Sequence, residues 1–449
     1  MPIRSLLPLW LLLVAASAAG AAIPGWRFTF GSYEDAYGSV LAAALQTSLL
    51  VAGCASGALL SDAGHARRGL VVGAAVLAVG IAILVLPASG AWPQTLLTEI
   101  LFGFGHGVLL VAGITIAAQA SPHGWRPLAI GGLLVATALG VDASGFLWEI
   151  GVVGIGLVVL AILGLAVVGA AGGEQGTVAS GMHGAWRAIA GAGLLAVGML
   201  AVQVAMDPTN SELLFLLTPF RQSVDSVDLN RWVVLAGGAA ALAASTWLAF
   251  ERLRSARSLW AIGAAVGAAA FGGAALTGML WLPAAIANPD SIVVVRVASL
   301  ASLAGIIAGS WWVTRSGAIR LPAVSGAAAG AAGVAIAVWS LATADGAPFI
   351  PALVALVLVG VGFGILVVTL RTLLADAEPS RLGAAVGLGA LMWVAGGVVG
   401  NSIGVAEAAR VLAEEPVLSV GLGVVVVAAL ICLWGALASP PTREQGATA

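Results

Sequence analysis

Two ionisable side chains lie inside one long apolar stretch, where charge is costly and therefore points to function. Glu99 and His106 are seven residues apart, which is about two helical turns and places both on one helix face. A carboxyl group that loses water favours its protonated form, and imidazole exchanges protons near neutral pH, so the pair can carry a proton. Two simpler interpretations stay open: Glu99 reaches interfacial water, or His106 is a packed histidine bonded to a backbone carbonyl.

Other polar residues within or at the ends of apolar stretches extend this set of candidates. They are Asp142, Glu149, Arg296, Arg371, Asn401 and Glu407. Arginine stays charged at any accessible pH, so Arg296 can bias a carboxyl group near it. For Asp142 and Glu149 the alternative is an interfacial position that reaches water.

Long apolar helices must position these residues. Charged residues make up 8% of the 449 residues and the mean hydropathy is +1.09, which is too apolar for the surface of a water-soluble domain. A bilayer span needs about 20 mostly apolar residues, and in lipid a helix satisfies its own backbone amides. The sequence therefore predicts an all-α polytopic membrane protein with about fourteen spans. We expect them at 5–23, 38–60, 69–88, 95–119, 127–146, 148–170, 186–206, 231–250, 258–284, 292–313, 321–342, 349–374, 382–406 and 417–438.

The arginines fall mostly on one side of this arrangement. The richer side holds Arg4, Arg67, Arg68, Arg126, Arg187, Arg252, Arg254, Arg257, Arg315, Arg320, Arg371, Arg381 and Arg443. Short cytoplasmic loops accumulate positive charge, so both termini are predicted to be cytoplasmic and 207–230 external. Residues 1–22 also resemble a secretory signal, whose cleavage would leave thirteen spans and an external N-terminus.

Several function classes are disfavoured. The chain has no phosphate-binding Walker loop, and its 4 His lack metal-ligand spacing, so we expect no enzyme activity, no cofactor and no metal. Cys54 and Cys432 lie in apolar stretches and are predicted to be small buried hydrophobes. The net charge of −2 gives no indication of a nucleic-acid partner.

The chain repeats itself loosely. Gly103-Phe-Gly-His-Gly107 corresponds to Gly360-Val-Gly-Phe-Gly364, and each is followed by an apolar run, a proline and an arginine. Upstream, the basic turn after Asp62 corresponds to the turn after Thr314. Both halves enter the membrane in the same orientation, which predicts a parallel repeat. The predicted division is a six-helix bundle at 1–172, two inserted helices and an external loop at 173–257, a second bundle at 258–438, and a cytoplasmic tail at 439–449.

These features resemble the major facilitator superfamily, in particular its fourteen-spanning branch with two extra helices between the halves. The resemblance implies that spans four, five, ten, twelve and thirteen line a central cavity, and that two basic turns hold the halves together when the cavity faces outward. The residues of these turns, together with Arg381 of a later basic turn, are Asp62, Arg67, Arg68, Arg315, Arg320 and Arg381. A topology signal is the other interpretation of these arginines. The predicted cavity or proton-coupling residues are Glu99, His106, Asp142, Arg296, Asn401 and Glu407.

The chain departs from the family at three places. The usual Asp-Arg-x-Gly-Arg turn is degenerate after Asp62, the Gly-Pro pair of many drug exporters is absent, and Glu99 stands where antiporters of the family carry Arg. We therefore hypothesise that the charge has been exchanged across the cavity, with Glu99 protonatable and Arg296 biasing it.

The resemblance implies a secondary transporter of a bacterial inner membrane that uses protons to export an apolar or amphipathic small molecule or an envelope lipid. Its partners would be the bilayer, protons and that substrate. The alternative is a non-transporting scaffold or assembly subunit of the same fold, bound to another membrane protein.

Overall fold

The computed structural model describes residues 3–29, 36–84, 92–144, 147, 152–171, 185–206, 224–253, 257–287, 292–343, 349–377, 379–412 and 420–438, with side chains for most of them. Fourteen α-helices occupy this part of the chain. They are α1 (Ile3–Thr29), α2 (Ala36–Asp62), α3 (Ala66–Leu84), α4 (Trp92–Ala120), α5 (Arg126–Ala143), α6 (Val152–Ala171), α7 (Ala185–Met206), α8 (Val224–Ala249), α9 (Arg257–Ala287), α10 (Ile292–Ser316), α11 (Arg320–Thr343), α12 (Phe349–Ala377), α13 (Leu382–Leu412) and α14 (Val420–Leu437).

The helices follow the apolar stretches of the sequence. Twelve of them contain a described segment long and apolar enough to cross a membrane, and α8 and α14 contain the shorter apolar segments Val233–Ala249 and Val424–Leu437. The predicted all-α membrane fold is confirmed. The loop predicted at 207–230 lies largely outside the described residues.

The described chain forms two compact units. Unit 1 comprises residues 1–121, 132–255 and 378–391, and unit 2 comprises 122–131, 256–377 and 392–449. The start of α5 therefore belongs to unit 2, and the start of α13 belongs to unit 1. The other helices of the two halves, and the pair α7 and α8, each lie in one unit.

Matching helices pack on matching neighbours in the two units. In unit 1, α4 packs against α1, α2 and α3, while α6 packs against α1 and α3. In unit 2, α12 packs against α9, α10 and α11, while α14 packs against α9 and α11. This equivalence of contacts within each unit is the six-helix repeat that the glycine patterns predicted.

Gly103, Gly105 and Gly107 form a glycine ladder in α4 that contacts neighbouring helices on two faces. A Cβ atom at Gly103 would overlap the carbonyl oxygen of Gln46 in α2, and one at Gly107 would overlap that of Leu50. Gly105 instead faces α3, where an added Cβ would lie 2.7 Å from the carbonyl oxygen of Gly73. Glycine at every second residue therefore lets α4 approach two neighbouring backbones at once.

Gly360, Gly362 and Gly364 form the corresponding glycine ladder in α12, and its contacts with the neighbouring helix match those of α4. An added Cβ would lie 3.1 Å from the carbonyl oxygen of Ala298 at Gly360, and 2.6 Å from that of Ser302 at Gly364. Ala298 and Ser302 are the α10 counterparts of Gln46 and Leu50, each 252 residues further along the chain.

The turns after α2 and α10 are also equivalent. Gly64 has φ 78° and Gly317 has φ 64°, the two glycines with positive φ among the described residues. Glycine adopts this left-handed conformation without a Cβ clash, and such a residue commonly ends a helix. Both helices are thus followed by a glycine in this conformation, although Gly317 lies one residue later than the position that corresponds to Gly64.

The inserted helices α7 and α8 pack on each other, and α7 packs on α2. Gln203 of α7 anchors this contact: its Oε1 accepts from Thr47 Oγ1 at 2.7 Å, and its Nε2 donates to Ser48 Oγ at 3.1 Å. A side-chain amide that is satisfied across two helices fixes their register.

Candidate functional site

Several polar side chains of α4 are buried in unit 1. Glu99 and Thr98 are fully buried, and Thr95 is nearly so. Two turns beyond Glu99, a ring nitrogen of His106 lies 3.4 Å from Ser17 Oγ of α1. The ring of Phe102 lies between these levels and meets the His106 ring edge-on, with centroids 5.7 Å apart. The structure therefore places Glu99 and His106 in one unit and holds His106 by a partner on the adjacent helix.

The same face of α12 is apolar. Residues 257 positions after Thr98, Glu99 and His106 are Ala355, Leu356 and Phe363. All three are buried. Phe363 packs into space left by Gly272 of α9 and Gly330 of α11. The fold thus accepts hydrocarbon at these positions, and the acid and the imidazole of α4 are additions that packing does not require.

The other predicted site residues are dispersed. Arg296 of α10 and Asn401 of α13 are exposed residues of unit 2, whereas Glu99 belongs to unit 1. The side chains of Asp142 and Glu407, and all of Glu149, lie outside the described residues. The hypothesis that Arg296 biases Glu99 stays a prediction.

Asp62 caps the start of α13 within unit 1. Its Oδ1 accepts from the backbone N–H of Ala384 at 2.9 Å, and an added Cβ at Gly383 would lie 2.7 Å from the backbone nitrogen of Asp62. The first N–H groups of a helix have no intrahelical acceptor, and a carboxylate also favours the positive end of the helix dipole. Asp62 of α2 therefore caps the N-terminus of α13, because it provides the hydrogen-bond acceptor that a residue next to the helix start usually provides.

The arginines of the two basic turns lie near solvent. Arg67 is half-buried, and Arg68, Arg315 and Arg320 are exposed. Arg381, between α12 and α13, is exposed as well. Arg315 stands over the ring of Trp311, with 5.7 Å to the ring centroid.

Sequence reasoning missed an ion pair in unit 2. Arg126, the first residue of α5, donates from Nη1 to Asp376 Oδ1 of α12 at 2.9 Å, and Nε2 of His123 lies 3.5 Å from the same Nη1. Asp376 occupies the α12 position that corresponds to Gln119 of α4. The sequence did carry one indication of this ion pair, because Asp376 is an acid and its counterpart Gln119 in the other half is not.

A second missed contact is that of Arg371, a candidate from the sequence that is buried in α12. Its guanidinium carbon lies 5.3 Å from the centroid of the Trp393 ring of α13. Charge inside a predicted span pointed to this residue, but no motif connected it to Trp393. Among the described residues, no group of three or more acidic, His or Cys side chains is arranged to hold a metal ion.

No protein-family model and no curated protein sequence matches the chain. Solved structures match it over nearly its whole length. The fucose:proton symporter FucP of E. coli, in a form with one substitution, is 14% identical with a TM-score of 0.56, covering 97% of this chain and 97% of that chain. The human organic anion transporter MFSD10 (TETRAN) is 13% identical with a TM-score of 0.60, covering 96% of this chain and 100% of that chain.

A second FucP structure, described as a major facilitator superfamily transporter in the outward conformation, is 14% identical with a TM-score of 0.57 over 97% of this chain and 98% of that one. At such low identity the likeness concerns the fold. Together with the paired glycine ladders, the paired turns and the two inserted helices, it shows that this chain has the fold of the major facilitator superfamily.

Proposed function

We propose that the protein is a secondary active transporter of a bacterial inner membrane that couples proton movement to the export of an apolar or amphipathic small molecule or envelope lipid. The observation that carries this proposal is the pair of ionisable residues on α4, fully buried Glu99 and half-buried His106. Glu99 and His106 stand there at positions that the fold fills with Leu356 and Phe363 in its other half. Burial of an ionisable group costs about several kcal/mol, so residues of this kind are retained for their chemistry.

Glu99 suits the role of the proton carrier. A fully buried carboxyl group favours its neutral form, and access to water favours its charged form. A change in water access therefore changes its proton occupancy. His106, held by Ser17, would pass the proton along α4 or sense its arrival, and Arg296 would bias the carboxyl group.

Structurally similar proteins support a transport function. One is a fucose:proton symporter and another an organic anion transporter, so proton coupling occurs within this fold. Export, and hence antiport, is inferred from the family resemblance. Cytoplasmic termini are inferred from the arginine distribution.

The test is flux in proteoliposomes loaded with a pH-sensitive dye. Ethidium, 1-naphthoate and a fluorescent phosphatidylglycerol are added singly, with and without an imposed pH gradient. We expect one probe to move with a proton flux in the wild type. Glu99→Gln should abolish proton-driven accumulation while retaining probe exchange, because the neutral amide keeps the shape without exchanging protons.

Two variants control this measurement. Glu251→Gln makes the same chemical change at a half-buried residue between α8 and α9 and should leave flux unchanged. His106→Phe installs the residue that α12 carries at the equivalent position and should fold but lose coupling. Unchanged pH dependence in Glu99→Gln would overturn the assignment. A folded wild type that moves no probe and copurifies one-to-one with another membrane protein would favour the scaffold.

A further inference from the structure

The end of α10 presents an aromatic ring and a cation side by side on the surface of unit 2. Trp311 is 58% exposed, and Arg315, one turn later, is exposed as well. The guanidinium carbon of Arg315 lies 5.7 Å from the centroid of the Trp311 ring, which is within the range of a cation–π contact. Both side chains therefore reach the surroundings of the protein.

The place of this pair along α10 matches the boundary of a membrane. Trp311 lies five residues before Ser316, where α10 and its apolar segment Arg296–Ser316 end, which is about 7.5 Å along a helix axis. Tryptophan is enriched at this depth, because its amphipathic ring suits the headgroup level of the bilayer. An exposed ring here contacts lipid, and the arginine one turn later reaches the headgroup layer.

The far side of the turn adds charge and apolar surface. Helix α11 begins at Arg320, which is exposed, and the next residue, Leu321, is 59% exposed. The positive end of the α11 dipole also favours an anion here. Among the described residues, no acid pairs with Arg315 or Arg320, and the sequence has no Asp or Glu between Asp290 and Asp345. The turn therefore carries positive charge next to exposed hydrocarbon.

The equivalent turn of unit 1 lacks this combination. Trp311 and Arg315 correspond to Leu59 and Ala63, which lie 252 residues earlier and are half-buried. That turn also has two arginines, but Asp62 precedes them. The fold thus forms this turn without an aromatic–cation pair, and unit 2 carries the pair as an addition.

We propose that Trp311, Arg315 and Arg320 form a binding site for an anionic phospholipid of the leaflet that borders the α10–α11 turn. The guanidinium groups donate to the headgroup phosphate, while Trp311 and Leu321 contact the glycerol and acyl-chain region. A soluble anion would use the arginines alone and leave the exposed ring and leucine without a role. The bound lipid tethers the turn to the membrane surface, and this role does not depend on transport.

The experiment measures lipid binding to the purified full-length protein. The protein in a neutral detergent is titrated with phosphatidylglycerol or phosphatidylcholine that carry the same acyl chains, and native mass spectrometry counts the lipid molecules bound to each protein. The wild type should bind its first phosphatidylglycerol at least about fivefold more tightly than phosphatidylcholine, since each arginine near the surface adds about this factor for an anionic lipid.

The variants locate the effect. Arg315→Ala and Trp311→Leu install the residues of unit 1. Arg315→Ala and Arg320→Ala should each weaken the first phosphatidylglycerol about fivefold. Trp311→Leu should weaken it as well, and Trp311→Phe should weaken it less, because an aromatic face remains beside the guanidinium. These side chains are exposed, so the unfolding midpoint without lipid should stay unchanged.

Two controls separate this site from general attraction and from proton coupling. Arg68→Ala removes an exposed arginine from the equivalent turn of unit 1 and should leave the affinity for phosphatidylglycerol unchanged. Glu99→Gln should bind the lipid as the wild type does. If Arg315→Ala lowers the lipid-free midpoint, Arg315→Gln takes its place, because it keeps most of the side-chain length without the charge.

Four results would overturn the proposal. The first is equal affinity of the wild type for the two lipids, and the second is full phosphatidylglycerol affinity after loss of the Arg315 charge. The third is an equal loss in Arg68→Ala and Arg315→Ala, which would show that net charge alone attracts the lipid. The fourth is displacement of the lipid by millimolar inorganic phosphate, which would show that the site takes a soluble anion.

Discussion

The two halves of the molecule share their backbone contacts and differ in their buried polar residues. Gly103 and Gly107 of α4 meet α2 as Gly360 and Gly364 of α12 meet α10. Yet α4 carries Glu99 where α12 carries Leu356. Small residues that let helices approach closely stand at matching positions in both halves, whereas Glu99 has an apolar counterpart in the other half.

The buried charges also lie at opposite ends of equivalent helices. Glu99 is in the amino-terminal part of α4, and Arg371 is in the carboxyl-terminal part of α12. Their counterparts, Leu356 and Ile114, are both buried and apolar. The two halves therefore carry buried charge at different levels of equivalent helices.

The largest expected change in stability comes from placing the residue of one half at the equivalent position of the other half. Leu356→Glu puts an acid into the apolar face of α12 and should lower the stability of the fold by about 3 kcal/mol or more. The reciprocal Glu99→Leu should be neutral or stabilising, since replacement of a buried charge by hydrocarbon often is. The midpoint of thermal unfolding in detergent and the monodispersity of the purified protein measure both.

Leu356→Met is the matched control, because it changes the shape but not the polarity of the side chain, and should cost less than about 1.5 kcal/mol. If Leu356→Glu proves as stable as the wild type, then α12 tolerates an acid as α4 does. The inference that Glu99 is retained for chemistry would then lose its basis.

Replacing equivalent glycines of the two halves by alanine should lower the stability of the fold by similar amounts, and by less than Leu356→Glu does. An added Cβ overlaps the Gln46 carbonyl at Gly103 and lies 2.8 Å from the Ala301 Cβ at Gly360. Gly103→Ala and Gly360→Ala should each cost about 1–3 kcal/mol, with the larger loss at Gly103, where the neighbour is backbone. Unfolding midpoints of the purified variants measure this.

Gly132→Ala and Gly164→Ala are the controls, because nothing lies within 4 Å of a Cβ added at either position. Alanine is the better helix former by up to about 1 kcal/mol, so these variants should be neutral or slightly stabilised. Equal losses at all four positions would mean that the ladders are not the contacts that define the repeat.

Much of the fold followed from the sequence because bilayer spans are long and the paired glycines mark helix contacts. The predicted spans 38–60 and 382–406 correspond to α2, Ala36–Asp62, and α13, Leu382–Leu412. Glu99 and His106 were found because charge within an apolar stretch is rare.

The partners of these residues did not follow from the sequence. Ser17 lies 89 residues from His106 in the chain, and Asp376 lies 250 residues from Arg126. Such contacts depend on which helix faces meet, and nearly uniform apolar helices leave that choice open in the sequence. Arg296 illustrates the same point, since its place in an apolar stretch was visible in the sequence and its exposure was not.

The smallest expected effect concerns the helix cap that only one half carries. Asp62 Oδ1 accepts from Ala384 N–H in unit 1. Its counterpart Thr314 in unit 2 has a buried hydroxyl oxygen without a hydrogen-bond partner among the described residues. Loss of a helix cap costs about 1 kcal/mol, whereas removal of a hydroxyl that makes no hydrogen bond is neutral or slightly favourable.

Asp62→Ala should therefore lower the unfolding midpoint modestly and speed amide exchange in the first turn of α13. Asp62→Asn should keep most of the protection, because its side-chain oxygen still accepts the hydrogen bond. Thr314→Val should change neither the midpoint nor the exchange. Hydrogen exchange of the peptide that contains Ala384 measures the local effect. Equal losses in Asp62→Ala and Thr314→Val, or unchanged exchange in Asp62→Ala, would show that the contact is a consequence of helix packing and does not stabilise the start of α13.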